Sequence, residues 1–119
     1  MDKETIKIDK YFSSNYVKIG EGLSRKVYDL GKLVVKIPKN SDGYFDNIFE
    51  REQFLRIRRR EDVIPFVNCY LITIDCVPLL FCEKIEINIK GKELPDWVSW
   101  VDCQQVGINS RGQFVAYDL

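Results

Sequence analysis

The chemistry in this sequence gathers around one lysine. Val34-Val35-Lys36-Ile37 is an apolar run holding a single cation, and its β-branched residues read as a strand. A glycine turn, Gly20-Glu21-Gly22, precedes it, and an acid, Glu50, follows it inside a helical pattern. Glycine lets a backbone come close to a ligand and offers N–H donors that suit a phosphate. A strand lysine adds a point charge beside that turn, and an acid on the next helix could fix its orientation. The same residues have a plainer use. Gly20 and Gly22 also suit a hairpin turn, and a lysine at a sheet edge snorkels to water. Residue types alone leave both readings open.

The elements around these residues are marked by period and punctuation. Tyr16-Val17-Lys18-Ile19 alternates and runs into the glycine turn, Arg25 to Leu30 is a second strand, and Gly31-Lys32 turns the chain into the Lys36 strand. Pro38 closes that strand, because proline cannot continue a central ladder. Residues 44–60 are the strongest helix, with Phe45, Ile48, Phe49, Phe54, Leu55 and Ile57 at helical spacing. Asp42 is the expected N-cap, and Arg56, Arg58, Arg59 and Arg60 crowd the last turn, where cations complement the helix dipole. Residues 66–74 and 77–87 read as two more strands joined by an Asp75-Cys76 turn. Leu94 to Val101 reads as a short helix with Pro95 in its first turn and Trp97 and Trp100 on one side. A hairpin over 104–118 turns at Ser110-Arg111-Gly112. Residues 1–15 fit either a strand or a short helix, since Thr5-Ile6-Lys7-Ile8 alternates only weakly. The expected architecture is α+β in one domain over residues 1–119: a five-stranded antiparallel sheet, one main helix, a short helix and a C-terminal β-hairpin.

Composition narrows the chemistry. The chain has 119 residues, and its 18 basic and 18 acidic side chains cancel, so no global field draws it to nucleic acid or a membrane. It contains no histidine, which excludes Ser-His and Cys-His catalysis and histidine metal sites within the chain. Its four cysteines, Cys69, Cys76, Cys82 and Cys103, form no CxxC pair, so zinc is a poor fit. The N-terminus carries no apolar leader and no run reaches membrane-spanning length. The expectation is a soluble cytoplasmic protein with reduced thiols; a disulfide-bonded secreted form is the alternative that the even cysteine count leaves.

In this order, three strands, a helix, two strands, a connector and a hairpin, the chain resembles the N-terminal lobe of protein kinase-like proteins. Gly20-Glu21-Gly22-Leu23-Ser24-Arg25-Lys26-Val27 resembles the glycine-rich loop, with Arg25 at its third glycine. Val34-Val35-Lys36 resembles the lysine strand, and Glu50 falls where a helix glutamate pairs with that lysine. Cys82-Glu83-Lys84-Ile85 resembles the gatekeeper and hinge. Ala116-Tyr117-Asp118-Leu119 resembles the strand that ends in a metal-binding aspartate. The likeness is closest to small kinase-like proteins of bacteriophages and mobile elements. Ser24-Arg25-Lys26-Val27-Tyr28-Asp29-Leu30-Gly31, Lys36, Asn40, Gly43, Asn47 and Glu50 fit their spaced pattern, as do Gln105 to Gly112, Val115 and Asp118 near the C-terminus.

The resemblance implies an ATP site at Gly20, Gly22, Lys36, Glu83 and Ile85, and, for an active enzyme, catalysis by Lys36, Glu50, Asp102 and Asp118 with Asp118 holding magnesium. It also implies that catalysis is lost. Trp100 falls at the catalytic aspartate, with Asp102 two positions later. Gln105 falls at the metal-binding asparagine and is a neutral, poor ligand for a hard cation. The connector after Ile87 is short for a second lobe. The expected function is therefore a non-catalytic, pseudokinase-like protein without a cofactor. It would be phage- or prophage-encoded and would bind a host or defence protein in the bacterial cytoplasm. Trp97, Trp100, Arg56, Arg58, Arg59 and Arg60 are the candidate partner-binding residues. Alternatives are a small ATP- and magnesium-dependent phosphotransferase, and a nucleic-acid-binding module using the basic helix end.

Overall fold

Turn chemistry sets the sheet. In the computed structural model, which describes residues 2–58, 65, 67–87, 91–100 and 105–117 and leaves the side chains of 57, 58, 99 and 100 aside, five strands pair antiparallel in the order β1-β2-β3-β5-β4. They are β1 (Val17–Glu21), β2 (Arg25–Asp29), β3 (Leu33–Pro38), β4 (Cys69–Ile74) and β5 (Val77–Glu83). Gly31 supplies the left-handed turn between β2 and β3 at φ 93°, which glycine adopts without steric cost. Asp75 and Cys76 both take positive φ, 49° and 65°. This is the geometry of a two-residue hairpin turn whose twist matches the flanking strands. β4 and β5 begin and end inside the expected spans, and β5 stops at Glu83 rather than at residue 87.

The N-terminal segment is a helix, α1 (Lys3–Asn15). Asp2 caps it, its carboxylate accepting from the Thr5 N–H at 2.8 Å. The buried positions Thr5, Ile8 and Phe12 follow helical spacing, whereas Ile6 stays exposed. Asp9 then ties α1 to β2, accepting from the Tyr28 hydroxyl and the Lys26 ammonium, each at 2.8 Å.

The second helix, α2 (Ser41–Arg58), starts earlier than expected, and its cap is Asn40 rather than Asp42. Asn40 accepts from the Gly43 N–H at 3.0 Å, and Asp42 sits in the first turn. A Cβ on Gly43 would lie 2.2 Å from the Ser24 carbonyl and 2.8 Å from Pro38 Cα, so only glycine lets α2 begin against the β1–β2 turn.

Strand alternation divides the core into two layers. Val34, Cys82 and Cys69 align across three strands, as do Lys36, Leu80 and Leu71. α2 packs on this face through Phe54. Ile8 and Phe12 of α1 pack on the other face against Tyr28, Val35, Ile37 and Leu79. Each such fully buried aliphatic side chain contributes about 1.5–3 kcal/mol of transfer free energy. Below the sheet, a 3-10 helix (Asp96–Trp100) and a hairpin, β6 (Val106–Ile108) with β7 (Phe114–Ala116), complete the first layer. The hairpin is sewn on by Glu86 and Ile108, which exchange backbone bonds of 2.8 and 2.9 Å, and by Val67 donating to Ala116 at 2.9 Å. Gly107 permits this approach, since a Cβ there would meet Ile85 and Glu86 at 2.8–2.9 Å. Among the described residues, no helix is long and apolar enough to cross a membrane.

Candidate functional site

Lys36 leaves β3 on the α2 face and its ammonium meets Glu50 at 3.0 and 3.1 Å from the two carboxylate oxygens. Glu50 is buried, and it has a second cation. The Arg25 guanidinium donates to Glu50 at 2.9 Å and to the Asn47 side chain at 3.2 Å. Asn47 is fully buried and donates to the carbonyls of Lys36 at 2.9 Å and Pro78 at 2.8 Å. Two cations around one carboxylate satisfy the desolvated acid from both sides. Arg25 is thus a member of the ion cluster. Its signal in the sequence is a long cation two residues before Val27, the residue that pairs with Lys36 in the sheet.

The glycine turn is held by its own neighbours. Gly22 donates its N–H to the Arg25 carbonyl at 2.9 Å, and its carbonyl accepts from Lys39 at 3.0 Å. That N–H is used inside the turn. Ser24 donates to Asp46 at 2.5 Å, Lys39 N–H donates to the Ser24 carbonyl at 2.7 Å, and Asn40 donates to the Leu23 carbonyl at 3.1 Å. Glu21 accepts from Lys18 and Lys39, and these two hydrogen bonds bring its carboxyl down to about 2. Ser24, Arg25, Lys36, Asn40, Gly43, Asn47 and Glu50, which are scattered over the spaced sequence pattern, therefore form one connected unit joining turn, strand and helix.

Beside this unit lies a cleft of about 350 Å³, at the lower end of the size range of small-molecule sites. Gly20, Lys36, Glu83 and Ile85, all named from the sequence, line it together with Val27, Val34, Cys82 and Tyr117. Gly22 lies in an adjoining hollow with Arg25 and Lys36. Asp102 and Asp118 lie outside the described residues, and so do the side chains of Trp100, Arg58, Arg59 and Arg60. Arg56 is exposed on α2. Trp97 is half-buried and packs against the first core layer. No group of metal-ligating side chains gathers among the described residues.

No family model, curated protein or solved structure matches this chain. The reading of the site therefore rests on its own geometry.

Sequence reasoning did not show which way α2 faces. The residues that turn inward are Gly43, Asn47, Glu50 and Phe54, and four of the apolar residues that marked the helix, Phe45, Ile48, Phe49 and Leu55, turn outward. Phe45 keeps 72% of its surface exposed, Phe49 54%, Leu55 42% and Ile48 39%. The helix is thus polar where it meets Lys36 and apolar where it meets water. The exposed charges Glu52 and Arg56 lie among these apolar residues on the same helix face, and Asp42 lies at its edge. Large apolar side chains exposed together on one face mark a contact surface.

Proposed function

We propose that this is a non-catalytic, kinase-like binding protein that regulates another protein by laying the outer face of α2 against it. The observation that carries this reading is the inverted helix. Asn47 and Glu50 face inward, while Phe45, Ile48, Phe49 and Leu55 face solvent at i, i+3, i+4 and i+10. A helix presented in this way suits the helix-in-groove mode, in which apolar anchors enter a groove on the partner. The kinase-like element of the proposal comes from the sequence resemblance, with the Lys36–Glu50 pair and its cleft in support. The non-catalytic element is supported by the second cation on Glu50 and by the Gly22 N–H being used within its turn. The same resemblance points to a phage or prophage factor acting on a host or defence protein in the bacterial cytoplasm.

The test is capture from bacterial extract by the wild type and by Phe45→Asp/Phe49→Asp. The expected result is a protein retained by the first and lost by the second, with both folded. Equal capture by both, or no capture by the wild type, overturns the reading.

A second reading has its own observation: Gly20, Lys36, Glu83 and Ile85 surround one open cleft. ATP with magnesium would then raise the melting temperature of the wild type and not of Lys36→Ala. Absence of that rise removes both nucleotide binding and phosphotransfer. The nucleic-acid reading has only exposed Arg56 among the described residues to support it, and it is not carried further.

A further inference from the structure

Two thiols face each other beneath the ion cluster. Cys69 of β4 is directly opposite Cys82 of β5, and both are buried, at 0% and 3% exposure. The Glu83 N–H donates to the Asn68 carbonyl at 3.0 Å, so residues 68 and 83 form a hydrogen-bonded pair. The next pair along, Cys69 and Cys82, is consequently of the non-hydrogen-bonded kind. Such pairs hold their Cα atoms roughly 4.5 Å apart with the side chains close together. A disulfide spans Cα separations of about 4.4–6.8 Å, so the bond fits without a change of register.

The surroundings favour reaction at this pair. Hydrogen bonding between the two thiols places Cys69 below the ordinary thiol range against the opposing effect of its burial, while that hydrogen bonding and burial push Cys82 up. The charges of Arg51 and Lys36 also favour a thiolate at Cys69, and that of Glu50 opposes it. Cys82 lines the cleft, which gives a small oxidant a route from solvent. Its sulfur lies 3.8 Å from Glu50 Oε2.

We propose that Cys69 and Cys82 are a dithiol–disulfide couple bridging β4 and β5, oxidised by hydrogen peroxide entering through the cleft. One sulfur, as thiolate, attacks a peroxide oxygen and becomes a sulfenic acid. The O–O bond breaks, and the departing hydroxide takes up a proton and leaves as water. The second sulfur loses its proton and attacks the sulfenic sulfur. The S–O bond breaks, and the oxygen leaves, protonated, as a second water. Two thiols and one peroxide give one disulfide and two waters. A dithiol reductant reverses the oxidation by thiol–disulfide exchange. Forming the bond draws the Cys82 sulfur toward Cys69 and away from Glu50, so the redox state reaches the acid that anchors α2.

The experiment treats the full chain, and a Cys76→Ser/Cys103→Ser variant, with hydrogen peroxide and maps the peptides. The expected product joins the peptides of Cys69 and Cys82 with loss of two hydrogens, in both proteins, and dithiothreitol separates them. In Cys82→Ser the partner is gone, and dimedone traps Cys69 as the sulfenic acid. Three results overturn the proposal: Cys69 and Cys82 stay reduced while exposed Cys76 oxidises, Cys82 goes to sulfinic acid with no joined peptide, or the joined peptide appears only in urea that unfolds the protein.

Discussion

Neutralising Glu50 is the perturbation that the structure constrains most tightly. Glu50→Gln keeps the shape of the side chain and removes its charge. In the wild type the carboxylate, 6% exposed, answers Lys36 at 3.0 Å and Arg25 at 2.9 Å. In the variant both cations lose their shared carboxylate. Removing one partner of a buried ion pair costs about 3–5 kcal/mol, mostly from the charge left behind. Lys36 and Arg25 keep 13% and 21% of their side-chain surface, so water relieves part of that cost, and the expected loss is about 3 kcal/mol, at the lower end of the range. At roughly 4 °C per kcal/mol for a chain of this length, the melting temperature falls by about 12 °C. Lys36→Met is the informative comparison. Glu50 then still holds Arg25, and the loss is about 1.5 kcal/mol, the lower end for hydrogen bonding to a charged group. Urea titration of the three proteins with a common slope measures both differences. The reasoning fails if Glu50→Gln costs less than about 1 kcal/mol, well under the range for a broken buried pair, or if Lys36→Met costs as much as Glu50→Gln.

Three further outcomes follow from local geometry. Gly43→Ala drives a Cβ to 2.2 Å from the Ser24 carbonyl, and backbone must move on both sides; a loss of about 3 kcal/mol is expected, and a loss below the error of a urea titration would contradict the packing of α2 on the turn. Cys76→Gly relieves a left-handed non-glycine residue at φ 65° and completes an Asp-Gly hairpin turn; a gain of about 1 kcal/mol is expected in the same titration, and destabilisation would contradict the turn. For Glu21, whose carboxyl titrates at about 2 in the fold against 4.5 for the free side chain, the folded state favours the ionised form. Its contribution is complete above pH 4.5 and is lost as the pH falls toward 2. A carboxyl carbon titration by NMR should place Glu21 near 2, and a midpoint near 4.5 would show that Lys18 and Lys39 do not hold it.

The strands were legible because Gly31, Pro38 and the Asp75-Cys76 turn punctuate runs of β-branched and apolar residues; their burial itself does not alternate, with Val77 to Leu80 of β5 buried in succession and β1 almost wholly exposed. α1 was not, because Thr5-Ile6-Lys7-Ile8 alternates while its buried residues are Thr5, Ile8 and Phe12. Only the Asp2 cap and the Asp9 contacts with Tyr28 and Lys26 decide for helix. α2 carried a clear helical period, yet period alone does not say which face is inside. Tertiary demand did: Asn47 satisfies two strand carbonyls and Glu50 satisfies two cations, so the polar side turned in. The meeting of Lys36 with Glu50 was implied by the sequence resemblance, whereas helical spacing alone left the orientation of α2 open. The part of Arg25 was hidden by its position in a loop-like motif where glycine was the expected residue. Cys69 and Cys82 are thirteen residues apart, and no local pattern shows that the β4–β5 register sets them opposite each other.

The central claim, that the outer face of α2 is where this protein meets its partner, is tested most directly by site-specific photo-crosslinking. A benzophenone side chain is placed at Phe49, and separately at Val17, an exposed apolar position on β1 that keeps 71% of its surface. Both proteins are irradiated in bacterial extract. The account predicts a discrete crosslinked protein from position 49 and none from position 17. Crosslinking from position 17 with none from position 49 would contradict it.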